Sequence, residues 1–361
     1  MYINVELLIY SYMALCLCIL LYNIIFIGYN KTEEKRSFRR FNKWKNNIEL
    51  QFNNDNNTSD KEHEHLLQKK LLSISQLSAY DEALQDLLKS NHEKTKEYIA
   101  NNFNISVYLA KKYLDKESTK KAYLAYMLSK YLVFDSSINQ RIGEIIIDYT
   151  LDKSIYCREN ALRAIYSIGN VEDVLSAYRL MNKNSIIHNS KLVADGLLLF
   201  NGDRVKLCNA LWDSFYEFNI SYQLAFINFI KNVSGDFCEK FFAVLQSDNT
   251  NQEIKFAIIR YYRKYSYEPA KNYLYNCIKF QSELDFTFSA IAASALENYP
   301  SDETIRVLKS ALTSNNWYTR NNASNSLQKL GVDYIDLLDI YSGNDRYARE
   351  MMEYKMVVHN S

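Results

Sequence analysis

His63 and His65 stand two residues apart beside Glu62 and Glu64, four groups of the kind that ligate metals or move protons. On a helix, residues two apart point about 200° away from each other, so the two imidazoles cannot converge on one ion. The segment therefore reads as a solvated charged face. His92, His188 and His359 have no cysteine or second histidine close by in sequence, and Glu93 would not face its neighbour His92 on a helix. Cys16, Cys18, Cys157, Cys208, Cys238 and Cys277 form no C-x-x-C pair, a distribution that favours free thiols and a reducing compartment over a disulfide framework or a zinc site. No H-E-x-x-H, glycine-rich phosphate loop, G-x-S-x-G or EF-hand pattern occurs. The expectation is a protein that is not an enzyme, with no metal, no cofactor and no small-molecule substrate.

The elements around these residues point to helices. The 361 residues are 48% hydrophobic and 24% charged, ample for a sizeable core, while 8 glycines and 2 prolines are too little turn chemistry for a many-stranded β protein. A net charge of +1 supplies no global field for nucleic acid, which is not expected as a partner.

From Leu7 to Gly28 the chain carries no charge, and a helix of that length crosses a hydrocarbon layer of roughly 30 Å. No Lys or Arg precedes the run and no A-x-A-like site follows it, so an uncleaved anchor is expected rather than a signal peptide. Seven basic residues follow within Lys31–Lys45, against Glu33, Glu34 and Glu49. By the positive-inside rule the N-terminus is outside and the rest cytoplasmic, giving a single-pass protein of the cell membrane. Within this flank Phe38, Phe41, Trp44, Ile48 and Phe52 recur at a helical period among the positive charges. That pattern fits a helix lying on anionic headgroups, with Arg36, Arg39, Arg40, Lys43 and Trp44 at the membrane interface, and equally an ordinary stop-transfer flank. Residues 51–60 read as a polar linker on which the body pivots.

Self-comparison of the remainder gives a period. Alanines recur at 161, 194, 225, 257, 290 and 323, at intervals of 33, 31, 32, 33 and 33. Eight residues after them stand Gly169, Gly202, Asn298 and Gly331, residues tolerant of positive φ, and Pro269 and Pro300 fall at or just after the same joint. Each unit reads as helix, tight turn, helix. An earlier unit opens near Ala122 or Ala125.

Residues 157–181 (CRENALRAIYSIGNVEDVLSAYRLM) and 301–331 (SDETIRVLKSALTSNNWYTRNNASNSLQKLG) resemble HEAT-like repeats of the bacterial PBS-lyase type, with an Arg-x-x-Ala run ending in Ile-Gly or Leu-Gly. The resemblance implies that Arg158 and Arg320 brace the inter-helix turns, and that the fold is all-α. It implies a solenoid of HEAT-like hairpins, which here follows the one transmembrane helix read from the uncharged run. The organisation is then an anchor at 1–30, a basic juxtamembrane segment and linker at 31–60, a helical lead-in at 61–120, and repeats over 121–361.

Thirty tyrosines and three tryptophans offer large rigid contact area, although inter-helix packing explains most of them. In a HEAT-like solenoid the second helices line the concave face, which makes Tyr178, Arg179, Trp212, Lys240, Tyr273, Lys279, Arg306 and Lys309 the surface candidates, with Trp317 and Arg320 structural. The function expected is a membrane-anchored scaffold for a protein partner that is itself membrane-associated. The layout is similar to anchored HEAT-repeat proteins of low-GC bacteria that accompany membrane glycosyltransferases of envelope or exopolysaccharide synthesis. A regulatory adaptor for soluble signalling proteins is the alternative.

Overall fold

The computed structural model describes residues 5–52, 61–131, 136–280 and 285–359, and every element among them is a helix. The chain divides into two compact units, 1–177 and 178–361. The first holds α1 (Val5–Gln51), α2 (Lys61–Lys70), α3 (Ile74–Ser90), α4 (His92–Asn101), α5 (Asn104–Tyr113), α6 (Ser118–Tyr131), α7 (Ser136–Ile147) and α8 (Ile155–Ile168), and ends within α9 (Val171–Lys183).

The second holds α10 (Ser190–Leu197), α11 (Arg204–Asp213), α12 (Ile220–Val233), α13 (Cys238–Gln246), α14 (Gln252–Lys264) and α15 (Lys271–Lys279). It continues with α16 (Phe286–Ala295), α17 (Asp302–Ala311), α18 (Trp317–Lys329), α19 (Leu338–Ser342) and α20 (Arg346–His359).

α1 is one unbroken helix of 47 residues, so the boundary expected at residue 30 falls inside it. Its apolar part is long enough to cross a membrane, and none of that stretch is buried in the protein. Its last turns are different. Trp44 and Ile48 are buried against α3, Trp44 sits edge-on to Tyr80, and Phe52 meets Tyr98. The end of the aromatic period therefore marks a face docked on protein, which corrects the placing of Trp44 at the membrane interface, while Phe38 stays exposed. Of the polar linker expected over 51–60, residues 53–60 lie outside the described residues.

The six periodic alanines sit one each on α8, α10, α12, α14, α16 and α18, all buried. In the second unit α10 packs on α12, α12 on α14, α14 on α16, α16 on α18 and α18 on α20, with α11, α13, α15 and α17 each against the helix that follows. A residue as small as alanine at each crossing lets the backbones approach.

The joints differ in detail. Gly169 (φ 74°) and Gly331 (φ 75°) are left-handed, and at Gly331 the Val332 N–H donates to the Leu327 carbonyl and Gly331 N–H to that of Gln328, a Schellman turn. Gly202 and Asn298 close the same joint without positive φ. Pro269 opens a 3-10 turn, and Pro300 precedes the Ser301 cap of α17.

Caps explain many of the asparagines and aspartates. The side chains of Asn189, Asp203, Asn219, Asn251, Asp285 and Asn316 each accept a backbone N–H at the start of α10, α11, α12, α14, α16 and α18.

Candidate functional site

The arginine motif does two jobs in the structure. Arg158 donates to the carbonyls of Asp152 and Lys153, and Arg320 to those of Ser314 and Thr313, so each guanidinium braces the loop leading into its own helix. Two residues on, Asn160 Nδ2 donates to the Ala122 carbonyl (3.0 Å) and Asn322 Nδ2 to that of Ala290 (2.7 Å). Because Ala290 is a periodic alanine, the matching bond identifies Ala122, not Ala125, as the register residue of the earlier unit.

Buried tyrosines act as staples. The hydroxyls of Tyr113, Tyr149, Tyr222 and Tyr262 donate to the carbonyls of Leu71, Ala110, Ile186 and Cys238 at 2.7–2.8 Å. Each ring fills a core while its tip satisfies an otherwise dry carbonyl. Burial pushes the Tyr113 hydroxyl up to about 12.

Two buried carboxylates organise the first unit. Asp81 accepts from Tyr131 (2.7 Å), Tyr123 (3.0 Å) and Lys130 (2.7 Å). Asp152 pairs with Lys121 at 2.5 Å; burial pushes its carboxyl up, but Lys121, Ser118 and the Ser154 N–H outweigh this and hold it below the usual range. His63 is buried with its Nε2 2.8 Å from the Tyr98 hydroxyl, while His65 is exposed. That corrects the solvated-face reading for His63: half of the His-x-His pair points into the core, as opposed sides of a helix require. Among the described residues no group of three or more His, Cys, Asp or Glu could hold a metal.

The surface candidates differ in their surroundings. Tyr178 is wholly buried, edge-on to Tyr222 and Phe226, so it is a core residue and no surface contact. Trp212 is half-buried among Phe215, Phe237 and Phe241, and exposed Lys240 lies over the Phe237 ring. Tyr273 is half-buried, which raises its hydroxyl.

Three of the charged candidates reach neighbouring hairpins, and Arg306 pairs within its own helix α17. Arg179 pairs with Glu217 (2.8 Å), Lys279 and Arg306 with Glu303 (3.3 and 2.7 Å), and Lys309 with Asp339 (2.7 Å). Exposed pairs of this kind contribute about 0–1 kcal/mol each.

A groove lies between α18 and α20. About 620 Å³ in volume, it is lined by Trp317 and Arg320 on one side and by Tyr347, Met351 and Tyr354 on the other. Trp317 is 59% exposed, so it is a surface residue after all, whereas Arg320 is held by Asp345 at 2.9 Å. The spacing of Tyr347, Met351 and Tyr354 at i, i+4 and i+7 was the available signal.

At the interface set of α1, Arg36 and Arg40 both turn to Glu33, and Trp44 is 3% exposed with its Nε1 bonded to Gln76, which removes it from any lipid contact. Arg39 and Lys43 are exposed.

No known protein family matches the chain, and no curated protein does. Among solved structures, human deoxyhypusine hydroxylase in complex with glycerol is 17% identical, with 83% of this chain and 96% of that one covered and a TM-score of 0.29. An engineered protein is 14% identical, with 88% and 99% covered and a TM-score of 0.36. Similarity at that level leaves function to the residues themselves.

Proposed function

We propose that this protein is a membrane-anchored α-solenoid of HEAT-like repeats that holds a protein partner at the cytoplasmic face of the cell membrane, without catalysing a reaction. The observation that carries the reading is α1. A stretch of bare apolar side chains continues, without a break in the helix, into turns whose Trp44 and Ile48 are locked onto α3. Water does not tolerate so long an apolar surface exposed all round, and a bilayer does. The regular alanine crossings and the Arg158 and Arg320 loop braces support the repeat assignment. Confinement to a thin layer raises the effective concentration of the scaffold for membrane partners. A membrane glycosyltransferase is the partner class that the similarity of layout suggests.

The native thiols supply a test. Cys16 and Cys18 are the exposed cysteines, in the middle of the apolar stretch, whereas Cys157, Cys208 and Cys277 are buried. In sealed vesicles a membrane-impermeant maleimide leaves Cys16 and Cys18 unlabelled until the protein is denatured, and labelling in intact vesicles rejects the anchor. Crosslinking in native membranes, with an α1-only control, returns an integral membrane protein; enrichment of soluble regulators alone rejects the scaffold in favour of an adaptor.

A further inference from the structure

Lys31, Lys35, Arg39 and Lys43 follow one another at four-residue steps along α1, and all four are exposed. At 100° and 1.5 Å per residue they form one stripe about 18 Å long that turns by about 120° around the helix, its centre opposite the face that carries Trp44 and Ile48. None of the four takes part in an ion pair among the described residues; Glu33 is turned to Arg36 and Arg40, away from the stripe.

A basic flank next to an apolar helix is ordinarily explained by anionic lipid. Here the continuity of α1 limits that explanation. If residues 7–28 cross the bilayer, an unbroken helix carries 31–43 outward from it and cannot lay them flat on its surface. Lys43 is then about 22 Å beyond Gly28, against a headgroup layer of about 5–8 Å on each side. Lys31 and Lys35 reach headgroups, while Arg39 and Lys43 stand in water beside the membrane, with the body docked on the opposite face.

We propose that this stripe docks an acidic helix of a membrane protein, emerging from the bilayer alongside α1 and carrying carboxylates at four-residue steps. Such a helix repeats its charges at about the same 6 Å axial spacing as the stripe, and because a four-residue row drifts about 40° per step, carboxylates meet cations over the central steps where the two axes cross at about 50°. The inference rests on the spanning reading of α1 and adds the chemistry of the partner.

The probe is a labelled helical peptide with glutamates at successive i+4 positions, compared with an isomer of the same composition whose glutamates are spread around the helix. The full-length protein is held in phosphatidylcholine nanodiscs and binding is followed by anisotropy. The patterned peptide binds about tenfold tighter than the isomer, and R39E/K43E removes that preference. Equal binding of the two peptides, or full retention of the preference by R39E/K43E, overturns the proposal. Loss of that preference, rather than of overall affinity, when the discs contain phosphatidylglycerol also overturns it, because an anionic disc repels both isomers alike and only headgroups occupying the stripe remove the pattern. Maleimide protection of Cys16 and Cys18 is read on the same discs: labelled thiols reject the spanning helix, whereas protected thiols with unpatterned binding reject the partner alone.

Discussion

The indole Nε1 of Trp44 donates to Oε1 of Gln76 across 3.0 Å, and the same ring stands edge-on to Tyr80 at 5.3 Å. One residue of α1 thus closes both a polar and an aromatic contact with α3. Lys45 adds an ion pair with Asp86 at 2.8 Å, but both partners are substantially exposed.

Trp44→Ala removes the ring and leaves a cavity between the two helices, a change that costs about 3–5 kcal/mol. The expected result is a lower melting temperature together with new protease cleavage in residues 36–52. Lys45→Ala moves either measurement by little, since an exposed pair contributes about 0–1 kcal/mol. Equal effects of the two substitutions would contradict the docking described for Trp44.

Asn160 and Asn322 each satisfy a carbonyl on the preceding helix of the α6/α8 and α16/α18 pairs. Asn322→Ala leaves the Ala290 carbonyl without this donor and costs about 1–2 kcal/mol in denaturant unfolding. Asn322→Asp is expected to be worse than alanine, because a carboxylate then faces a carbonyl oxygen at the same 2.7 Å.

Ser185 is left-handed at φ 55°, with Ile186 N–H donating to the Met181 carbonyl and Ser185 N–H to that of Asn182, the same turn that Gly331 makes. A side chain pays about 1 kcal/mol for that conformation and glycine does not. Ser185→Gly therefore raises stability by up to about 1 kcal/mol, and a loss of stability on calorimetry would show that the serine makes up for its strain elsewhere.

The helix pairs were legible in the sequence because alanine at a crossing and a turn residue eight positions later are local signals, repeated at one period. The docked half of α1 was not: Trp44 and Ile48 show a buried period, but periodicity states that a face is covered without saying whether lipid or protein covers it. Tyr178 failed for a related reason. Position on a second helix does not by itself give exposure: Tyr178 points inward and its neighbour Arg179 faces out, one helical step away. The cross-hairpin pairs of Arg179, Lys279 and Lys309 depend on partners 38, 24 and 30 residues distant, which no local pattern announces.

Asp173, in the first turn of α9, is 7% exposed, and its Oδ2 has no hydrogen-bond partner among the described residues. A Cβ on Gly143 would stand 2.5 Å from that oxygen, so the glycine leaves room for the carboxylate. Burial first, then the charges of Glu144 and Glu172, pushes the Asp173 carboxyl up to about 6. An unfolded aspartate titrates near ~3.9, so between about pH 4 and pH 6 the native state holds a proton that the unfolded chain has released. The contribution to stability is therefore fully present below about pH 4 and is lost as the pH rises through 6, a total of about 2–3 kcal/mol. Asp173→Asn cannot ionise. The difference in unfolding free energy between Asp173→Asn and the natural protein should grow in favour of the variant from pH 4 to pH 7, by that amount. Taking the difference cancels the opposing trend of carboxylates held low by partners, such as Asp152 beside Lys121. A difference that stays constant across this range would mean that Asp173 titrates alike in the folded and unfolded chains.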